Sequence, residues 1–478
     1  MHRGFALCAT AAAMAAALAG CALQPPPARD ELQRDALAHT IVPAAWKTSG
    51  AVTEPVAGGR WTTSFNDAAL SALVDEALAH NVDLRAAAAV VEQAAGYVKV
   101  ASAPLLPSVS LAGLWSGASS SGGSGLNGIF LNASLELDIW GRLRYASASV
   151  QDQSVAAQAD FAYARQSIAA TVAKSWFLAI EAGLQRAIVL DGLRSAEELQ
   201  RLATDRFRIG SGAEQLVAEA RAHVGSFRDM LRQTEFAREQ ALRSLELLLG
   251  RYPAAEIAVA PALSAAPPPL PVGLPAQLLE RRPDVIAAER RVAAAFNRTG
   301  EARAAQLPRI SLTAGGSSIT SDLFVLQERN NPVWGFGANL LAPLYQGGAL
   351  RAQVEIRTAE QKQAVAAYAK AGQRAFGEVE GALSAENSLR DRSVVLDAAV
   401  RDNERALELV QVQFRVGVVD LRAVEQRNLS LYSARTTRLR VQSELLAQRV
   451  NLFLALGGGF EIPASGEIGT ASASAAGS

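Results

Sequence analysis

Hydrophobic and polar residues alternate strictly in two stretches of the chain and recur at helical spacing along most of the rest. Val109, Leu111, Gly113 and Trp115 fall on one side and Ser108, Ser110, Ala112 and Ser116 on the other, the period of two that suits a half-buried strand. A glycine-serine loop, residues 116–128, interrupts the pattern. The second run sets Ile129, Leu131, Ala133, Leu135, Leu137 and Ile139 against Asn132, Ser134, Glu136 and Asp138. After Gly141 an alanine-rich, helix-forming segment continues without a proline until Pro253. The pattern predicts a β-hairpin, residues 104–140, feeding a very long helix.

The same unit occurs twice. Leu106-Pro107-Ser108-Val109 returns as Leu307-Pro308-Arg309-Ile310, with Pro107 and Pro308 201 positions apart. Beyond the hairpin tip the spacing becomes 207, from Gly141 to Gly348, Phe207-Arg208 to Phe414-Arg415 and Leu249-Gly250 to Leu456-Gly457. The difference in length is confined to the loop between the strands. Loops tolerate insertions, whereas each residue added to a packed helix turns its face by about 100°. Two copies of one supersecondary unit follow, residues 66–250 and 276–457, joined by a proline-rich linker, 251–275.

In chain order, residues 21–65 read as an extended arm, and a helix opens at Asn66, an N-cap candidate, and runs to Ala103. The long helix after Gly141 spans roughly 100 Å at 1.5 Å per residue and breaks at a glycine tip near 207–212. A return helix of about half that length leads to the linker. A further helix, Gln277 to Ala305, delivers the chain to hairpin two, residues 308–345, where Trp334, Phe336, Ala338, Leu340, Ala342 and Leu344 share a face. The second long helix turns near 414–419 and returns to Gly457, and residues 458–478 form a glycine-, serine- and alanine-rich tail. Four strands cannot close a membrane barrel, since the smallest have about eight, and open edges are not tolerated in lipid. The strand count therefore demands a barrel shared between chains.

Residues 1–20 have the basic start and short apolar run of a secretion signal. They end in Leu18-Ala19-Gly20-Cys21, which resembles the bacterial lipobox and predicts lipidation at Cys21. Ala22, in place of aspartate, favours outer-membrane sorting by the same resemblance. Cys8 leaves with the signal, so no intrachain disulfide or cysteine metal site is expected. Of 478 residues 50% are hydrophobic but only 6% aromatic, so the apolar content is largely helix-favouring alanine. Lysine plus arginine balances aspartate plus glutamate at 46 each, leaving no basic excess for nucleic acid.

Several segments together resemble the TolC-type outer-membrane efflux proteins, and most nearly their NodT-like lipoprotein branch. They are residues 133–144 (ASLELDIWGRLR), Arg281-Arg282-Pro283-Asp284-Val285, the tips Arg206-Phe207-Arg208-Ile209-Gly210 and Gln413-Phe414-Arg415-Val416-Gly417, and residues 451–459 (NLFLALGGG). The likeness covers Trp61 to Phe460. It implies a mainly α fold with a membrane β-barrel portion: a homotrimer whose twelve strands form one barrel and whose helices form a periplasmic tunnel. It also implies a passive exit duct that receives small molecules from an inner-membrane pump of the resistance-nodulation-division type through a periplasmic adaptor. An ATP-driven protein or peptide secretion duct and a non-channel, lipid-tethered coiled-coil spacer are the alternatives.

The resemblance places adaptor docking at Phe207, Arg208, Gly210, Phe414, Arg415 and Gly417. A periplasmic gate is expected among Asp420, Glu425 and Gln426, although the aspartate of many relatives is absent and Asp420 could simply cap a helix. Glu136 and Asp138, opposite the apolar face, are expected to line the barrel lumen. No cofactor or enzymatic activity is expected. The histidines, His2, His39, His80 and His223, are scattered, and no group has metal-ligand spacing.

Overall fold

The computed structural model describes residues 23–48, 61–115, 126–268, 275–321 and 333–458. The signal stretch, Cys21 and the tail after Gly458 lie outside the described residues. In chain order the helices are α1 (Arg29–Ala36), α2 (Ala68–His80), α3 (Val82–Ser102), α4 (Arg142–Arg208), α5 (Glu214–Leu248), α6 (Pro275–Arg281), α7 (Pro283–Ala304), α8 (Ala349–Arg415) and α9 (Leu421–Ala455). The strands are β1 (Ser108–Trp115), β2 (Leu126–Leu137), β3 (Arg309–Ser321) and β4 (Val333–Leu341). Two compact units divide them, one from 1–41, 89–160 and 284–372, the other from 42–88, 161–283 and 373–478. Each unit draws on both copies of the repeat.

The repeat is kept to the residue. Helices α4 and α8 are both 67 residues long and α5 and α9 both 35, with every end of the second pair 207 positions after its counterpart. All four close alike, on glycine at positive φ: Gly210 (75°), Gly417 (79°), Gly250 (75°) and Gly457 (90°). The next amide reaches back five residues, as from Ser211 to Arg206 and from Val418 to Gln413, both at 2.9 Å. This left-handed cap satisfies carbonyls that the helix leaves unpaired.

The second unit is built on an alanine-rich helical core with an aromatic cluster at one point. Trp61 stacks on Phe453 at 5.6 Å, Phe65 packs on Phe177 at 5.2 Å, and Leu70, Leu242 and Val450 are fully buried around them. Helix α2 is capped by Asp67, not by Asn66: Asp67 accepts from Leu70 N at 2.9 Å and from Trp176 Nε1 at 2.8 Å. Asn66 instead takes a left-handed turn, φ 50°.

The two single helices expected before the hairpins are each divided. Pro283 lacks the amide that would continue α6, and at the matching place Asn81 is extended. Both break residues hold the end of a return helix: Asn81 Nδ2 donates to Leu248 O at 2.9 Å and Arg282 Nη1 to Ala455 O at 3.1 Å. The amino-terminal arm is also not wholly extended. It contains α1, with Asp30 and Glu31 in its first turn and Leu32 buried beneath it. The proline-rich segment is fastened by two guanidinium groups, Arg390 and Arg449, which donate to Pro267 O and share the carboxylate of Glu386.

In the first unit the strands form one antiparallel sheet in the order β1-β2-β3-β4. Register keeps one face apolar across all four. Leu111 lies opposite Leu131 and Leu131 opposite Gly316, which faces Trp334; one step on, Val109, Ala133, Ala314 and Phe336 are aligned. The Trp334 ring lies over Gly316, where an added Cβ would meet it at 2.9 Å.

Gly250 and Gly210 share one backbone conformation but not one environment. A Cβ at Gly250 would lie 2.8 Å from His80 O, whereas one at Gly210 would meet nothing within 4 Å. Gly210→Ala should cost about 1 kcal/mol, and Gly250→Ala clearly more because backbone must also move. Urea resistance of the two purified variants should rank them in that order.

Candidate functional site

Among the described residues neither face of the sheet has a covering layer. Every described side chain of β1 and β4 is exposed, and on the apolar face Leu111 is 72% and Phe336 89% exposed. In water such a surface is unfavourable by about 25 cal/mol per Å². In hydrocarbon it is the expected exterior of a membrane sheet. The other face carries Ser108, Ser110, Asn132, Ser134, Ser311, Thr313 and Asn339, and the outer edges of β1 and β4 have no strand partner among the described residues.

Glu136 and Asp138 are turned to the junction between sheet and helix. Arg142 grips Glu136 with two nitrogens, at 2.8 to 3.1 Å. Asp138 lies beyond the end of β2 and accepts from the amides of Leu143 and Arg144, both at 2.9 Å, as well as from the Arg144 guanidinium. An acidic side chain receiving first-turn amides is a helix cap, so Asp138 is where strand geometry ends and α4 begins. Alternation in the sequence did not reveal this, because the arginines that claim both carboxylates lie past the strand.

The amino-terminal arm reaches the same junction. Leu23 packs against Gly141, and the Gln24 amide donates to Tyr145 Oη at 2.8 Å. The Tyr145 ring in turn presses on α7, where a Cβ at Gly300 would be 2.7 Å from it. Arg29 completes the attachment by pairing with Glu289 at 2.8 Å.

The two helical tips differ despite their equivalent backbones. Phe207 and Ile209 at the first and Val416 and Val418 at the second are exposed. Phe414 is half-buried against Leu199 and Val424, with the Arg206 guanidinium 4.4 Å from its ring centroid. Arg208 pairs with Asp205, whereas Arg415 forms no ion pair among the described residues. The exposed apolar side chains Ile209, Val416 and Val418 were legible as tip residues, but neighbouring glycines and arginines gave the stronger signal.

The three gate candidates do not converge. Asp420 caps α9, accepting from Ala423 N at 3.1 Å. Glu425 is buried against α5, its Oε2 3.7 Å from His223 Nε2. Gln426 is exposed on another side, in an open groove with Asn403, Ser430 and Thr437. Beside Glu425, Arg422 holds Glu219 of α5 in a two-pronged ion pair at 2.8 and 2.9 Å, and farther along Tyr432 meets the Phe227 ring edge-on at 5.4 Å. Helices α5 and α9 are thus joined by three successive side-chain contacts near the tips.

A sheet with one lipid-compatible face and, twice in the same chain, long helices that turn at glycine tips define the protein as a subunit of a membrane outlet. The family model described as "Outer membrane efflux protein" matches the chain twice, over residues 73–251 and 274–458, once for each copy of the repeat. The chain belongs to this family and is an outer-membrane efflux channel. "Cation efflux system protein CusC" of Escherichia coli is 31% identical over 460 residues, 94% of this chain and 98% of the relative. "Pyoverdine export outer membrane protein OpmQ" of Pseudomonas aeruginosa is 31% identical over 441 residues, 88% of this chain and 91% of the relative. The solved outer-membrane channel OprN superposes with a TM-score of 0.79 at 26% identity, covering 88% of this chain and 97% of that one.

Burial holds the Glu425 carboxyl above its ordinary range, with Glu219 and Asp420 adding to the rise and His223 and Arg422 opposing it. A raised folded-state value means that the stabilising share is complete below the ordinary glutamate range and is lost as pH rises through the raised value. Glu425→Gln should therefore resist urea better than the parent at pH 7.5, with the advantage gone at pH 4. Unfolding curves at the two pH values check this.

Proposed function

We propose that the protein is the passive exit duct of a tripartite efflux assembly, fed through a periplasmic adaptor by an inner-membrane pump of the resistance-nodulation-division type. The observation that carries this reading is the sheet: among the described residues, four strands, an exposed apolar face kept in register, and two unpaired edges. Each unpaired backbone group in hydrocarbon costs several kcal/mol, so the edges must pair with other copies. Three copies supply twelve strands, the arrangement the family resemblance implies.

The tips dock the adaptor through their exposed apolar residues, Phe207 and Ile209 on one and Val416 and Val418 on the other, with Arg208 and Arg415 beside them. Gly210 and Gly417 make the turns that present them. Phe414 acts from within, as the seat of Arg206. The periplasmic end is held closed by the fastenings Arg206 to Phe414, Glu219 to Arg422 and His223 to Glu425, while Asp420 shapes the start of α9 and Gln426 stays exposed.

Cys21 carries the lipid. Leu23, two residues later, packs against Gly141 at the foot of the hairpin.

The duct itself is expected to select little. The two curated relatives are named for a cation and for pyoverdine, unlike cargoes for one architecture. Small organic molecules and toxic compounds are the proposed load.

Deletion of the gene should raise susceptibility to dyes, detergents or antibiotics at least about fourfold while leaving secreted proteins unchanged; loss of a secreted protein instead would favour the ATP-driven secretion reading. Reconstituted protein should conduct discrete single-channel currents, and a silent but correctly folded protein would favour the spacer. Replacement Cys21→Ser should abolish palmitate labelling, and retained labelling would place the lipid elsewhere.

A further inference from the structure

The face of the sheet opposite the lipid-compatible one changes character along its length. Its rows run, from the helix end outward, Glu136 with Ser311 and Asn339; then Ser108, Ser134, Thr313 and Gly337; then Ser110, Asn132, Gly315 and Gly335. All are small or polar. The next row aligns Ala112, Phe130, Ser317 and Val333, and the row after it Leu114, Gly128 and Ile319.

Phe130 has the wrong parity for the lipid face, which takes Ile129 and Leu131 on either side of it. No buried residue lies on either face of the described sheet, so the ring is not part of a packed core either. It is half-buried, and Leu114, diagonal to it on the same face, is 44% exposed. Below them the floor is bare: a Cβ at Gly335 would meet nothing within 4 Å. Apolar residues thus succeed serine, asparagine and glycine along this face, and Phe130 is the one aromatic residue of the described rows. Phe130 lies seven residues from the helix end of β2, roughly 23 Å at strand rise, and so toward the far side of the membrane.

We propose that Phe130, with Leu114 beside it, forms an apolar collar inside the outer part of the lumen, contributed once by each protomer. The inference rests on the channel reading, in which the polar face lines the passage. A hydrophobic constriction in a water-filled pore resists hydrated ions by dewetting and admits apolar or amphipathic molecules that can lie against it. The collar therefore acts on ion leak through the duct, while the polar rows below it do not.

Two measurements on the full-length lipidated protein test this. In planar bilayers, Phe130→Ser combined with Leu114→Ser should raise single-channel conductance about twofold, and Phe130→Trp should lower it. In intact cells, Phe130→Cys should react with a membrane-impermeant thiol reagent, while Val109→Cys on the opposite face should not. Unchanged conductance in both variants, or an unreactive Phe130→Cys in a protein present at normal level, would overturn the collar. Failure of the channel reading gives a different result, with no current from the parent protein and equal labelling at both positions.

Discussion

Everything in this chain follows from a sheet that one protomer cannot finish. Among the described residues the strands form one antiparallel sheet of four, in which β2 and β3 have both edges paired and β1 and β4 only one. Water can satisfy the free edges, but hydrocarbon cannot, and the apolar face favours hydrocarbon. The two demands are compatible only if the outer strand of one copy pairs with the outer strand of the next. Closure also removes the open edge that would otherwise recruit unrelated strands. The long helices then have a fixed base, because Asp138 and Glu136 fasten α4 to the end of β2 through Leu143, Arg144 and Arg142.

The helical portion uses one solution twice, and the matched ends of α4, α5, α8 and α9 show why its length does not drift. A residue inserted in one rod would turn its buried stripe away from its partner, as a residue inserted in a hairpin loop would not. Within that sameness the two copies have diverged where they meet near the tips. Asp420 caps α9, whereas the matching Ala213 gives α5 no side-chain cap. Arg206 lies on Phe414, while the matching pair, Gln413 and Phe207, leaves the aromatic ring exposed. Such differences leave the two tips with unlike surfaces, Phe207 exposed on one and Phe414 held beneath Arg206 on the other.

Much of the architecture was legible because it is written in periodicity. The strand pairs, the long helices, the glycine tips and the repeat are all local or translational features of the sequence. Single-residue assignments were less legible where two neighbours compete for one role. Asn66 and Asp67 are both good caps, and only the fold shows that Trp176 and Leu70 converge on Asp67. Glu136 lies in a row of the polar face, as its alternation implies, but the pairing of Glu136 and Asp138 with arginines beyond the strand is not written in that alternation. Glu425 reads as an exposed helical glutamate, and its burial depends on His223 some 200 residues away, a proximity no local pattern encodes. Phe130 went unremarked within an otherwise regular run because its meaning depends on which face meets lipid.

Closure of the sheet between copies is tested most directly by amide hydrogen exchange in the outer membrane or in bilayers. If the barrel is closed, the amides of β1 and β4 are protected as strongly as those of β2 and β3, on both sides of each strand. If β1 and β4 exchange rapidly along their outer edges while β2 and β3 remain protected, the sheet is open and the duct described here does not exist.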